Sequence, residues 1–191
     1  MLKPLLEAWR YRRYLAVQRR QTRAKRAKDA SFRLVPFARL VREHCRELDE
    51  SSPVLSIGPR NEVELDVLRR EGRFERVTAI DLWSASPRIR RADMHAMPFA
   101  DHAFSLIFAS HVFEHAWDFA RVARECLRVL RPGGYVFSAT PRGFAPNEHD
   151  RYCFDSAAEL LRWFEAGRPV IVYEHVRPVE LQVLFRAGAG A

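Results

Sequence analysis

The chain has few cysteines and no long apolar run, and each of these absences argues against a class of protein. Only three cysteines occur among the 191 residues, and Cys45, Cys126 and Cys153 show neither an even pairing nor the spacing of metal ligands. A disulfide scaffold is disfavoured, and free thiols in a reducing compartment are expected. No apolar stretch approaches the roughly 20 residues that span a bilayer. The N-terminal residues also lack the apolar core and cleavage site of a signal peptide. We therefore expect a cytoplasmic protein.

Net charge is scarce everywhere except at the N-terminus. Residues 1–29 hold ten basic and two acidic side chains, which accounts for the whole formal charge of +8. The remaining residues hold 22 basic and 22 acidic side chains and are neutral. Because the larger part of the chain carries no excess of positive charge, it is not expected to be a nucleic-acid surface.

The basic N-terminal segment reads as a helix over residues 3–28, and three roles are open for it. It can bind an anionic partner or a membrane surface through residues 1–28, or it can bind nucleic acid, which is the less favoured role. The third role is docking on the rest of the protein with an incidental charged face, and this is the one we favour. The apolar patch expected to dock consists of Leu2, Leu5, Leu6 and Trp9.

The chain divides into two parts at residue 50. A second helix is predicted over about residues 36–48, and Ser51-Ser52-Pro53 ends it. Residues 1–50 are therefore predicted to be a basic helical extension, and residues 51–191 a globular domain. A hydrophobic content of 48% is sufficient for one domain with a sizeable core.

After residue 51 the sequence alternates short apolar runs with amphipathic stretches. Strands are predicted at 54–57, 77–80, 88–93, 104–109, 135–139, 170–173 and 180–185. Helices are predicted between them at 61–70, 118–130 and 156–166. Asn61, with Glu64 three residues on, is predicted to cap the first of them. This alternation is typical of an α/β fold with a parallel sheet and crossover helices. Ligands of such sheets bind beyond the carboxyl ends of the strands.

Polar residues follow these predicted strands at the points where a ligand is expected. Asp81 ends the second strand, where a carboxylate can accept hydrogen bonds from both ribose hydroxyls of a nucleoside. After the fourth strand come His111 and His115, whose imidazoles titrate near neutrality and can accept a proton from a substrate. No His, Cys or Asp set shows the local spacing of a zinc site, so no metal is expected.

The stretch from Glu125 to Gly134 reads E-x-x-R-V-L-x-P-G-G in its motif positions. With the strand count, this motif resembles the class I S-adenosylmethionine-dependent methyltransferases, specifically their broad small-molecule group. The resemblance covers roughly residues 51–186 and is strongest over 93–141. It implies a Rossmann-like seven-stranded sheet and an enzyme that uses S-adenosylmethionine. The implied reaction is methyl transfer to an oxygen or nitrogen atom of a small-molecule or metabolite acceptor.

The resemblance also implies roles for individual residues around the cofactor. Gly58 would hold its methionyl end, Asp81 its ribose, and Asp93 with Met94 its adenine, with Leu82 also in the cofactor site. Arg60 is not a family residue, and its guanidinium would pair with the methionyl carboxylate. Ser110 and His111 would line the methyl-transfer channel, and His111 or His115 would be the catalytic base. The loop at 141–155 would help to cover the substrate.

The first loop departs from the family, and two alternative functions follow from this departure and from the charge. The family usually has an acid near Ser56 and glycines at positions 60 and 62, where this chain has Arg60 and Glu62. A non-catalytic, methyltransferase-like binding module is therefore the main alternative. A nucleic-acid methyltransferase is less favoured, because the chain lacks the Asn/Asp-Pro-Pro-aromatic tetrad that such enzymes present to a flipped base.

Overall fold

The computed structural model describes residues 2–25, 27, 29 and 31–189, with side chains from residue 5 onward. Parts of the predicted basic helix, namely the side chain of Leu2 and the residues Met1, Arg26 and Lys28, lie outside this description. The two helices at the N-terminus are α1 (Leu2–Lys25) and α2 (Ser31–His44). The remaining helices are α3 (Val63–Arg70), α4 (Phe119–Val129) and α5 (Ala157–Leu161), with 3-10 turns at Phe113–His115 and Arg162–Gly167.

Seven strands form one sheet, which confirms the predicted fold class. They are β1 (Val54–Ile57), β2 (Val77–Asp81), β3 (Arg90–Arg91), β4 (Phe104–Ser110), β5 (Leu130–Pro141), β6 (Val170–Val176) and β7 (Glu180–Arg186). Their order across the sheet is β3-β2-β1-β4-β5-β7-β6. The first five strands are parallel, whereas β7 lies antiparallel between β5 and β6. The parallel strands therefore end at one edge, where β1 lies between β2 and β4.

The central strands are buried on both faces, as their continuous apolar runs indicate. Every residue of β1 and β4 is buried, which is the pattern of parallel strands covered by helices on both sides. One core cluster contains Leu55, Ile107 and the apolar side of α4, and the other contains Val54, Phe108 and the apolar sides of α2 and α3. Helices thus cover both faces and leave the carboxyl edge of the sheet open to other groups.

Several boundaries differ from those predicted. The helix expected to begin at Pro36 begins at Ser31 and contains the proline. Helix α3 begins at Val63 rather than Asn61, whose side chain accepts a hydrogen bond from the Val63 amide at 3.1 Å. An Asx turn at Asn61 therefore replaces the predicted helix cap, because the side-chain oxygen of Asn can satisfy an amide two residues on.

Helix α1 docks through a different face from the one predicted. Leu5, Leu6 and Trp9 are 69%, 48% and 56% exposed, so docking through this apolar patch is wrong. The docked face is instead aromatic and polar: the Tyr14 hydroxyl donates to the carbonyl of His115, and Gln18 Nε2 donates to the carbonyl of His149 at 3.1 Å. Polar contacts of this kind carry no apolar periodicity that could have revealed them.

Helix α2 packs on the sheet and on α3. Its buried residues Leu34, Phe37 and Val41 belong to the same core cluster as Val54 and Leu65. The division of the chain at residue 50 remains a prediction. Within the described part of the chain, no helix combines the length and apolar character needed to cross a membrane.

Candidate functional site

A cavity of about 80 Å³ lies where α1 crosses the carboxyl ends of β1, β2 and β4. From the sheet side it is lined by Ile57, Gly58, Arg60, Ile80, Asp81, Leu82, Ala92, Asp93, Met94, His95, His111, Val112 and His115. From α1 it is lined by Tyr14, Leu15, Gln18, Gln21, Thr22 and Lys25. Eight of the nine predicted site residues therefore converge on one cavity. The exception is Ser110, the last residue of β4, whose Oγ is buried without a hydrogen-bond partner among the described residues.

Gly58 directly follows β1 and has a backbone conformation that requires glycine. Its φ is +73°, and a Cβ at this position would lie 2.5 Å from Cγ2 of Val112. A side chain here would be strained by the backbone angle and would also collide with the loop after β4. Gly58 thus allows the loops after β1 and β4 to approach each other closely.

Arg60 stands on the same loop and points to the cavity without a carboxylate partner. It makes no hydrogen bond and no ion pair with any residue that the structure describes. Its neighbour Glu62 instead pairs with Arg88 and accepts a hydrogen bond from Ser86. Burial and the nearby charge of Arg33 both lower the pKa of Arg60, which remains a cation.

A buried carboxyl group lies beside Ser56, near the position where the family usually has an acid. Glu64 reaches back from α3, and its Oε1 accepts a hydrogen bond from the Ser56 hydroxyl. Burial raises the pKa of Glu64 to about 8, so the group is mostly protonated at neutral pH. The sequence indicated Glu64 as part of a helix cap, because its spacing from Asn61 fits that local role.

Asp81 offers a buried hydrogen-bond acceptor at the end of β2. Only 7% of the residue is exposed, and its Oδ1 accepts a hydrogen bond from the Trp83 amide at 3.0 Å. Burial raises the pKa of Asp81 to about 6, which still leaves the carboxylate mostly ionised at neutral pH. Because a buried carboxylate is costly unless donors reach it, this position favours a ligand with hydroxyl groups.

Both oxygens of Asp93 are already engaged. Oδ1 accepts hydrogen bonds from the backbone amide and ring Nδ1 of His95 at 2.9 and 2.6 Å. Oδ2 accepts one from the hydroxyl of Tyr11 on α1. Burial alone would raise the pKa of Asp93, but the bonds from His95 and Tyr11 outweigh it and hold the pKa below its usual value. Asp93 therefore attaches α1 to the sheet side of the cavity.

The position of α1 makes the cavity small. Typical ligand pockets enclose roughly 300–1,000 Å³, whereas this one encloses about 80 Å³. Tyr11 and Tyr14 bind the sheet side through their hydroxyl groups. A ligand of nucleoside size would therefore have to displace contacts of α1 such as those of Tyr11 and Tyr14.

His111 and His115 flank a third titratable group, Glu114. His111 Nε2 lies 2.8 Å from Oε2 of Glu180, and His115 Nδ1 lies 2.8 Å from Oδ1 of Asp150. Oε1 of Glu114 is 3.9 Å from a ring nitrogen of each histidine. Burial raises the pKa of Glu114 to about 8, and burial lowers the pKa of His115. The cluster can therefore hold and move protons.

Glu114 is the member of this cluster that the sequence did not single out. Its position between two histidines was visible, but its burial was not. Asp150, from the loop predicted to cover the substrate, is the second addition. Among the described residues, no group of three or more His, Cys, Asp and Glu side chains is arranged to hold a metal ion.

A second cavity of about 420 Å³ adjoins the first. The two cavities share Lys25, Arg60, His111 and His115. The second is completed by Asp29, Phe32, Arg33, Glu114 and Asp150. The two histidines therefore line both cavities.

Residues 55–138 match a family model described as a methyltransferase domain. Among curated proteins, the chain is 32% identical over 138 residues to a malonyl-acyl-carrier-protein O-methyltransferase of Halorhodospira halophila, covering 61% of this chain and 47% of that one. It is 34% identical over 70 residues to a probable S-adenosylmethionine-dependent methyltransferase of Mycolicibacterium smegmatis, covering 36% and 27%. The chain thus spans less than half the length of these relatives.

A solved structure with a similar fold is the 1,6-didemethyltoxoflavin N1-methyltransferase of Burkholderia thailandensis, which contains S-adenosylhomocysteine. The TM-score is 0.69 at 18% identity, and the match covers 97% of this chain and 90% of that one. At this identity the likeness concerns the fold alone, and a fold does not by itself determine a reaction.

The buried carboxyl group of Glu64 predicts a pH dependence of stability. Its folded pKa of about 8 is raised above the ordinary 4.5, so its contribution is complete below pH 4.5 and is lost as the pH rises through 8. Glu64→Gln keeps an acceptor for Ser56 and removes this loss. We expect the variant to gain at least about 1 kcal/mol relative to the parent between pH 5 and pH 8, measured by urea unfolding. The exposed control Glu43→Gln should show the same pH dependence of the free energy of unfolding as the parent. The same result for Glu64→Gln would contradict this expectation.

Proposed function

Because the chain carries a methyltransferase domain on the fold of the class I S-adenosylmethionine-dependent methyltransferases, we propose that it transfers a methyl group from S-adenosylmethionine to an oxygen or nitrogen atom of a small-molecule acceptor. The observation that carries this proposal is the convergence of Gly58, Asp81 and Met94 on one cavity at the ends of the parallel strands. The names of the curated relatives support methyl transfer, since they include a malonyl-acyl-carrier-protein O-methyltransferase and a phthiotriol/phenolphthiotriol dimycocerosates methyltransferase.

The residues around the first cavity fit the cofactor chemically. The buried carboxylate of Asp81 would accept hydrogen bonds from the ribose hydroxyls, with Leu82 beside it. Met94, which is 8% exposed, offers a polarizable sulfur for the adenine ring. Asp93 would accept a hydrogen bond from the adenine amino group. This bond would replace the one that Oδ2 of Asp93 accepts from the Tyr11 hydroxyl.

Arg60 would take the place that a glycine has in the family. The methionyl end of the cofactor carries a carboxylate, and the planar guanidinium matches a carboxylate in two hydrogen bonds. The absence of a carboxylate within 4 Å of Arg60 among the described residues supports this role. Gly58 would keep the adjacent backbone close to the same end of the cofactor.

The reaction requires little from the protein beyond alignment and proton removal. When bound, S-adenosylmethionine supplies an electrophilic methyl group on a sulfonium ion. His111 and His115 would orient the acceptor and take its proton. Ser110, with His111, would line the channel through which the methyl group is transferred. His115 suits this task because burial lowers its pKa and favours the neutral imidazole, while the contact of Nδ1 with Asp150 orients the ring.

The main alternative is a non-catalytic binding module on the same fold. The feature that favours it is the first loop, where Arg60 and Glu62 replace two glycines of the family. Cofactor binding measured by calorimetry separates the two, because a module without cofactor would not bind S-adenosylhomocysteine. Nucleic-acid methylation is less supported, since the net charge is confined to the N-terminal segment.

We also propose a cytoplasmic location, and a cationic surface on α1 that contacts an anionic partner. The three cysteines are free, which suits a reducing compartment. Arg12, Arg13, Arg19 and Arg20 are exposed on α1, away from the face that covers the cavity. An acidic partner or a membrane surface would be attracted to them.

Replacing Asp81 tests the assignment of the cofactor. Asp81→Asn should weaken binding of S-adenosylhomocysteine by roughly tenfold or more, because it removes a charged acceptor from two hydroxyl groups. Isothermal titration calorimetry measures this directly. Asp66→Asn, on the exposed side of α3, is the matched control and should bind as the parent does. Equal affinity of all three proteins would show that the ribose assignment is wrong.

Replacing Arg60 tests the carboxylate contact. Arg60→Ala should weaken binding of S-adenosylhomocysteine by roughly tenfold. Arg60→Lys should restore part of the affinity, because an ammonium group keeps the positive charge but cannot make the two parallel hydrogen bonds of a guanidinium. Arg69→Ala, an exposed arginine of α3, controls for the loss of positive charge. Unchanged affinity for S-adenosylhomocysteine in Arg60→Ala would show that Arg60 does not contact the cofactor carboxylate.

The four exposed arginines of α1 can be tested together. Replacing all four by Gln should abolish binding to vesicles that contain anionic phospholipid, and salt should weaken binding of the parent, because exposed charges are screened over about 8 Å at physiological ionic strength. A control with Arg42, Arg46, Arg69 and Arg70 replaced removes the same charge elsewhere. Co-sedimentation of the α1 variant at the level of the parent would refute the surface.

A further inference from the structure

Two arginines face the second cavity without an acidic partner. Arg33, on the first turn of α2, and Arg60, after β1, both line it. Neither guanidinium has a carboxylate within 4 Å among the described residues, and Nε of Arg33 is buried without any hydrogen-bond partner there. Lys25, at the end of α1, adds a third cation to the same wall. The cavity therefore presents an excess of unpaired donors.

The acids around this cavity are already engaged or buried. Asp150 lies 2.8 Å from Nδ1 of His115, and Asp29 accepts a hydrogen bond from the Ser31 amide. Glu180, behind His111, is bound to His111 and to Gln182. Glu114 is 3% exposed, and its Oε2 has no hydrogen-bond partner in the described structure. Among the described residues, none of these carboxyl groups lies within 4 Å of either guanidinium group.

The two arginines also affect each other. Burial and, after it, the positive charge of Arg33 lower the pKa of Arg60, whereas the charges of Asp81, Glu64 and Glu114 raise it. The two cations are therefore close enough to repel. Like charges held together in a partly buried space are unfavourable unless an anion lies between them. Guanidinium groups bind carboxylate and phosphate oxygens in pairs of short, charge-assisted hydrogen bonds.

We propose that the second cavity binds the methyl acceptor and that the acceptor carries an anionic group, a carboxylate or a phosphate, held by Arg33 together with Lys25, beside the Arg60 that the cofactor carboxylate would occupy. This inference rests on the proposed function, since it names the class of acceptor for that same site. The shared wall of His111 and His115 places the acceptor next to the first cavity. Phe32, which is 80% exposed at the second cavity, provides an aromatic contact for an apolar part of the acceptor.

The experiment compares three aromatic probes of similar size. Phenylacetate and phenyl phosphate carry the two anionic groups, and phenylacetamide is their neutral counterpart. Each is titrated at millimolar concentration into the full chain, with and without saturating S-adenosylhomocysteine, and binding is followed by protein NMR shifts. We expect one or both anions to bind and the amide to bind at least tenfold more weakly. The better anion identifies the carboxylate or the phosphate class.

Arg33→Gln is the decisive variant. It should weaken binding of the anions by roughly tenfold or more, and Arg33→Lys should recover part of the loss. Arg42→Gln removes the same charge from the exposed side of α2 and should have no effect. Unchanged affinity for S-adenosylhomocysteine in Arg33→Gln shows that the variant is folded and that Arg33 acts on the acceptor side.

Two results would overturn the proposal. One is equal binding of phenylacetamide and the anions to the parent, or no binding of either anion. The other is equal anion binding by the parent and by Arg33→Gln. A failure of the proposed function has a different signature, because the parent would then bind no S-adenosylhomocysteine while the titrations without it still report on the anion site.

Discussion

The parallel pairing of β1 with β2 on one side and β4 on the other is the constraint on which the rest of the site depends. The register Val54–Val77 and Val54–Leu106 aligns the three strands, so that they end at the same edge of the sheet. Asp81, the last residue of β2, therefore lies near Gly58 and His111, which directly follow β1 and β4. The close approach of Gly58 to Val112 follows from the same alignment, and it explains why this glycine is present although the others of the family loop are replaced.

Around that edge, burial determines the protonation of the carboxyl groups. Glu64 and Glu114 are buried without a cation in contact, and the pKa of each is raised to about 8. Asp93 is also partly buried, but hydrogen bonds from Tyr11 and His95 keep its pKa low. Groups of one chemical type therefore differ in charge at neutral pH, because in a partly buried site the local donors decide whether ionisation is tolerated. A proton donor and a proton acceptor can coexist within one cluster.

Helix α1 links the charge of the N-terminal segment to this site. Its inner face closes the first cavity through Tyr11, Tyr14 and Gln18, and its exposed face carries the arginines. Access to the first cavity depends on a helix that is held by hydrogen bonds and by aromatic contacts with Trp117. An anionic surface bound to the outer face and a ligand bound under the inner face would act on the same helix, so the two functions proposed for α1 are physically connected.

The sequence by itself predicted the succession of strands and helices along the chain and nine site residues at the strand ends, eight of which line one cavity. It could do so because burial of a parallel sheet leaves continuous apolar runs, each followed by its polar end. It did not reveal the docked face of α1, the contact of Glu64 with Ser56, the position of Glu114, or the cavity shared with Arg33. The docked face of α1 and the second cavity depend on residues far apart in the chain, such as Tyr11 with Asp93 or Arg33 with Arg60. Glu64 and Glu114 contact residues near them in the chain, but their burial depends on the packing of distant elements. Only the tertiary structure decides such contacts, because hydrogen bonds and charge proximity follow from distance in space and leave no periodic pattern in the sequence.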